Sequence, residues 1–99
     1  MAFKVITLRS AEMDVETAIE WYEGQKSSLG SKFYDEFLIC LSKLVESPQH
    51  YGYAFKQFRQ LILPTFPYKI MFLITGNEVA VHAVFHTSRN PKDLVKRLK

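Results

Sequence analysis

Two residues, Gly76-Asn77, constrain this chain more than any others. They separate two strand-like runs, residues 68–75 and 78–86, and a two-residue connection leaves such runs only an antiparallel hairpin. Glycine comes first, as the positive φ at the first corner of a type II′ turn requires. A further run, residues 58–63, stops at Pro64-Thr65-Phe66-Pro67, so three strands are expected in the second half.

The first half reads differently. Residues 3–8 set Phe3, Val5 and Thr7 opposite Lys4, Ile6 and Leu8, the period of a strand. Ser10 is the expected cap of a first helix, with Glu12, Asp14 and Glu16 near the positive end of its dipole. Ala11, Val15, Ala18, Ile19 and Tyr22 then form one helical face, broken by residues 24–30. A second helix carries the stripe Phe33, Phe37, Cys40, Leu41 and Leu44 and ends at Ser47-Pro48, with residues 50–52 as loop. Two helices with a short polar connection predict an antiparallel helical hairpin. At the other end, Asn90-Pro91 reads as a cap and first position of a short basic helix with Leu94, Val95 and Leu98 inward. The order β-α-α-β-β-β-α predicts an α+β fold, an antiparallel-rich sheet packed on the helical hairpin.

At 99 residues, 47% of them apolar, one domain over residues 1–99 is expected. No run approaches the roughly 20 apolar residues of a membrane span. Residues 1–6 enter strand-like sequence without a cleavage pattern, and the lone Cys40 reads as a buried small hydrophobe. A cytoplasmic protein without membrane association is the expectation.

Charge is divided unevenly. Residues 1–50 hold five Lys/Arg against eight Asp/Glu, and residues 51–99 hold eight against two, so −3 and +6 give the net +3. A basic second half points to a polyanionic or acidic partner. On residues 68–75 one face carries Lys69, Met71, Leu73 and Thr75, half of it apolar where a wet face would be polar. Either the C-terminal helix or a partner covers it. His82 and His86 share a strand face at even spacing, but no Cys or acidic cluster joins them, so no metal site is expected. Trp21 reads as a core aromatic at helical spacing, with an interface anchor as the alternative.

The run Phe66-Pro67-Tyr68-Lys69-Ile70-Met71-Phe72 resembles a strand of the RelE/ParE toxins. Val79-Ala80-Val81-His82-Ala83-Val84-Phe85-His86-Thr87-Ser88-Arg89-Asn90-Pro91 is similar to the strand and basic loop that follow it. Ala18-Ile19-Glu20-Trp21-Tyr22, Leu29-Gly30 with Phe33, and Leu44-Val45-Glu46-Ser47-Pro48 with Tyr51 agree in order and spacing. The likeness spans about residues 3–92 and implies the RelE/ParE-like microbial ribonuclease-type toxin fold. It also implies the toxin of a type II toxin–antitoxin system, needing no cofactor. A cognate antitoxin would fill the sheet face at Met71, Leu73 and Lys69.

Two activities divide that superfamily: ParE-like inhibition of DNA gyrase, in the plasmid-stabilisation type, and ribosome-dependent mRNA cleavage. Trp21-Tyr22, Phe66-Pro67-Tyr68 and the ending from His86 to Pro91 look ParE-like, with Lys56, Arg59 and Arg89 as target contacts. The alternative endonuclease, ribosome-bound on mRNA, would use Lys69, His86 and Arg89, since metal-free RNA cleavage needs an acid–base pair and cations for the phosphate. Paired lysines are missing, however, where Arg59-Gln60-Leu61-Ile62-Leu63 stands, and the tail lacks a tyrosine. A non-toxic antitoxin-binding relative is the third expectation.

Overall fold

A computed structural model describes residues 2–98. The ends of the expected domain, Met1 and Lys99, lie outside the described residues. The elements are β1 (Lys4–Thr7), α1 (Arg9–Gln25), α2 (Leu29–Glu46), a 3-10 turn (Pro48–His50), β2 (Tyr53–Phe55), β3 (Phe58–Ile62), β4 (Tyr68–Thr75), β5 (Glu78–His86) and α3 (Pro91–Leu98). The sheet runs β1-β5-β4-β3-β2. β1 lies parallel to β5, with Val5 opposite Val79 and Thr7 opposite Val81, while all other neighbours are antiparallel. The fold is α+β, as expected.

Gly76 has φ +62° and Asn77 is not left-handed, the combination a type II′ corner demands. β2 is an addition to the expected three later strands. It joins β3 through Lys56-Gln57, where Lys56 takes φ +51° without the glycine that normally marks such a turn.

The principal core lies between the helical hairpin and the sheet. Ala11, Val15 and Ala18 from α1 and Phe33, Phe37, Cys40 and Leu44 from α2 pack on Ile70, Phe72, Val79, Val81 and Val84. Each large side chain so buried is worth about 1.5–3 kcal/mol. Cys40 is the expected small hydrophobe, and burial pushes its thiol pKa up. The connection between the helices is shorter than expected, because Gly24 stays in α1 and Gly30 already lies in the first turn of α2. A Cβ on Gly30 would lie 2.7 Å from the Ile19 carbonyl, so glycine permits the helices to touch. The Glu23 carboxylate accepts from the N–H of Ser28 (3.0 Å) and Gly30 (2.9 Å), an anion on the open amides of α2.

The first helix starts earlier than expected. Leu8 occupies the cap position, and Ser10, inside the first turn, donates from Oγ to the His82 carbonyl at 3.1 Å. A second, smaller core lies on the opposite sheet face, where Leu94 and Leu98 of α3 cover Met71, Ala83 and Phe85 beside Phe55 and Phe58. Asn90 caps α3 as expected, its side chain accepting from the Lys92 N–H at 2.9 Å.

Candidate functional site

Register decides which β5 side chains can act together. Met71 pairs with Ala83 but Phe72 pairs with Val81, so His82 is the extra residue of a bulge. The bulge shifts the alternation by one. Val79, Val81 and Val84 therefore share the main core, and Ala83 and Phe85 share the second. The expectation that His82 and His86 share a face is corrected by this shift. His82 stacks edge-on against Phe58 of the second core (5.0 Å), whereas His86 meets Tyr68 beside the main core (5.2 Å). Burial first, and then Arg97, lower the pKa of His82.

β1 stops at Thr7 opposite Val81, so the outer edge of β5 beyond that point has no strand beside it. Buried backbone groups must still be paired. Asp14 of α1 accepts from the Val84 N–H (3.0 Å) and from Arg97 of α3 at Nη1 (3.2 Å) and Nη2 (2.7 Å). The His82 carbonyl accepts from Ser10 and, at 3.4 Å, from Arg97 Nη2. One carboxylate thus ties together the first helix, the open edge of β5 and the last helix.

Further along the same edge, His86 Nδ1 accepts from the Ser88 N–H at 3.1 Å, with Ser88 Oγ at 2.8 Å. A backbone N–H only donates, so the neutral imidazole carries its proton on Nε2 and presents a donor. Arg89 lays its guanidinium 4.1 Å over the Phe85 ring, and its Nε lies 3.5 Å from Asp93. Asp14, Thr17, Tyr68, Val84, His86 and Arg89 line a cleft of about 250 Å³. Burial raises the Tyr68 phenol pKa, which keeps it protonated.

The sequence-derived candidates fall in several places. Lys69 pairs with Phe85 and His86 with Tyr68, so Lys69 and His86 point to opposite faces. Arg89 lies near both, over Phe85 and in the His86 cleft. Met71 is fully buried in the second core, which leaves Lys69 and Leu73, both half-buried, as the accessible members of the set expected to contact an antitoxin. Lys56 and Arg59 belong to the far end of the sheet from Arg89. Arg59 is a buttress: Nη1 donates to the carbonyls of Tyr51 (2.7 Å) and Gln49 (3.2 Å), Nη2 to Tyr53 Oη (2.9 Å). Lys56 sets its ammonium 5.4 Å from the Phe55 ring. Trp21 is 61% exposed rather than a core aromatic. Among the described residues no three His, Cys, Asp or Glu side chains gather closely enough to hold a metal ion. No helix of the described residues is long and apolar enough to cross a membrane.

Sequence reasoning missed Asp14, Thr17 and Tyr68 as cleft residues. The turn before Tyr68 is held by Glu36, whose carboxylate accepts from the N–H of Thr65 (2.9 Å) and Phe66 (3.1 Å). Phe66 and Tyr68 then close on Phe33 and Tyr22, with Tyr22–Phe66 at 4.8 Å and Phe33–Tyr68 at 5.1 Å. Burial works to raise the Glu36 pKa, but the two backbone hydrogen bonds, a side-chain bond from Thr65 and the charge of Lys43 together outweigh it and hold the carboxyl below its ordinary value.

No family model matches the sequence, and no curated protein is similar to it at the level of sequence. Solved structures are similar in fold. A chain of the chromosomal ParDE toxin–antitoxin system of P. aeruginosa superposes with a TM-score of 0.79 at 14% identity, over 88% of this chain and 98% of that one. A chain of the RelBE2 toxin–antitoxin complex of Mycobacterium tuberculosis gives 0.62 at 12% identity, over 87% and 99%. A mutant of the E. coli toxin RelE in the free state gives 0.57 at 15% identity, over 100% of both chains. The chain has the RelE/ParE toxin fold.

Proposed function

We infer that this chain is the toxin of a type II toxin–antitoxin pair, held inactive by a cognate antitoxin, and that its target is DNA gyrase. The observation that carries the reading is the likeness in fold to the ParDE chain, 0.79 against 0.62 and 0.57 for the two RelE-type structures. The site chemistry supports the same choice. An RNA-cleaving centre needs its base, acid and phosphate-stabilising cation on one reacting group. Here Lys69 and His86 lie on opposite sheet faces, and Ser88 holds His86 as a donor rather than a base. The antitoxin contacts the sheet beside α3 through Lys69 and Leu73. The protein works in the cytoplasm, where gyrase and antitoxin are found.

Induction of the chain alone should arrest bacterial growth. Co-expression of a small antitoxin encoded beside it should relieve the arrest. Added to purified gyrase, the chain should block supercoiling. Growth arrest with fully active gyrase would overturn the target, and uninhibited growth would overturn the toxin reading.

A further inference from the structure

We propose that His82 is an acid-sensitive latch on α3: a proton on its imidazole loosens the last helix from the sheet and uncovers the second core. Leu94 and Leu98 of this eight-residue helix bury against Met71, Ala83 and Phe85. Arg97 pairs with Asp14 and sets its guanidinium 5.4 Å from the Phe85 ring centroid. A helix of two turns gains little from its own backbone, so its docking rests on such contacts. The bulge in β5 brings His82 up to them. Val81 faces the main core, while His82 and Ala83 both turn to the second, with the His82 ring 5.0 Å from Phe58. The side chain is half-buried. Its residue's hydrogen bonds run through the backbone carbonyl, to Ser10 and Arg97, so among the described residues no acceptor meets the ring.

The charged groups beside His82 are Arg97 of α3 and Asp14 of α1. β1, β3 and β4 present Thr7, Phe58 and Met71, which carry no charge. The Asp14 carboxylate is committed to Arg97 and to the Val84 N–H, so the guanidinium is the charge left to act on His82. A neutral imidazole is compatible with that neighbour. An imidazolium sets a second cation against it, at a place where burial already resists charge. Both influences weaken proton binding while α3 is docked, and the ordinary value of 6.5 returns once the helix moves away. The docked state therefore loses ground as pH falls below 6.5, and the loss is complete below the lowered value. Release would lay Met71, Ala83 and Phe85 open beside Lys69 and Leu73. The latch does not rest on the toxin reading, because it concerns only how α3 is held.

Amide exchange followed by NMR at pH 7.5 and 5.5, corrected for the intrinsic rate, reads the latch residue by residue. Protection of the α3 amides should fall as the solution is acidified, by up to about tenfold, the ceiling that an ordinary imidazole sets over this interval. The α2 amides should stay more protected than those of α3 at both pH values. His82→Gln should remove the pH dependence with α3 still docked, and His50→Gln should leave it as in wild type. If His82→Gln fails to fold, the imidazole signals of the wild type decide. His82 should titrate below 6.5, and in Arg97→Met its midpoint should move back towards that value. Titration of His82 at or above 6.5 would overturn the latch, and so would an equal loss of protection in His82→Gln and wild type. Coincident protection of α2 and α3 would make the opening global, and a loss abolished by Asp14→Asn but not by His82→Gln would assign it to the carboxylate; either contradicts the proposal.

Discussion

Removing Asp14 tests how α3 is held. Alanine at this position deletes the acceptor for two Arg97 nitrogens and for the Val84 N–H. Breaking a fully buried pair costs about 3–5 kcal/mol, because the surviving charge is stranded. Here the side chains are 26% (Arg97) and 15% (Asp14) exposed, so Arg97 recovers some hydration. The expected loss is therefore about 2–3 kcal/mol. In a domain of this size that corresponds to a fall in Tm of roughly 10–20 °C. Arg97→Met retains the apolar stem and should cost about 1–2 kcal/mol, since Asp14 keeps Val84 and partial hydration. A double-mutant cycle read by urea and thermal unfolding should give a coupling of about 1–2 kcal/mol. Hydrogen exchange should show the Val84 amide losing protection in Asp14→Ala and keeping it in Arg97→Met. A coupling below about 0.5 kcal/mol, or an unchanged Val84 amide, would refute the account of a shared clamp.

Three further outcomes follow from the geometry. Gly30→Ala gains about 1 kcal/mol of helix propensity but sets a Cβ 2.7 Å from a backbone carbonyl, so chemical denaturation should show a net loss of about 1–3 kcal/mol. Glu36 has a depressed pKa in the folded state, so its contribution is present above the ordinary value of 4.5 and is lost as pH falls through the lowered one; Glu36→Gln should flatten stability against pH in that acid range. Leu73→Asp, at the half-buried edge of the sheet face, should weaken antitoxin binding by more than about 2 kcal/mol in calorimetry, with Tm measured alongside to separate folding from contact.

Much of the fold is legible where one short signal dictates geometry. Gly76 sets the β4–β5 corner, Phe33 to Leu44 set the buried side of α2, and Asn90-Pro91 opens α3. Other features leave no local mark. Lys56-Gln57 turns a hairpin without glycine, so β2 is invisible in the sequence. Nothing around His82 announces a bulge, and without it the alternation of β5 assigns His86 to the wrong face. Asp14 reads as a helix-dipole charge because its partner, Arg97, stands 83 residues away. Arg59 reads as a free cation because its acceptors are carbonyls of a turn that only the fold brings near. His86 and Arg89 are visible as residue types, but their cleft requires Thr17 and Asp14 from α1.

The most direct test of the proposal that the chain is a gyrase-directed toxin is to induce it in a bacterium lacking the antitoxin and follow DNA and protein synthesis by pulse labelling. The account predicts that DNA synthesis stops first while translation continues on intact messages. An early stop in translation with cleaved messages would contradict it.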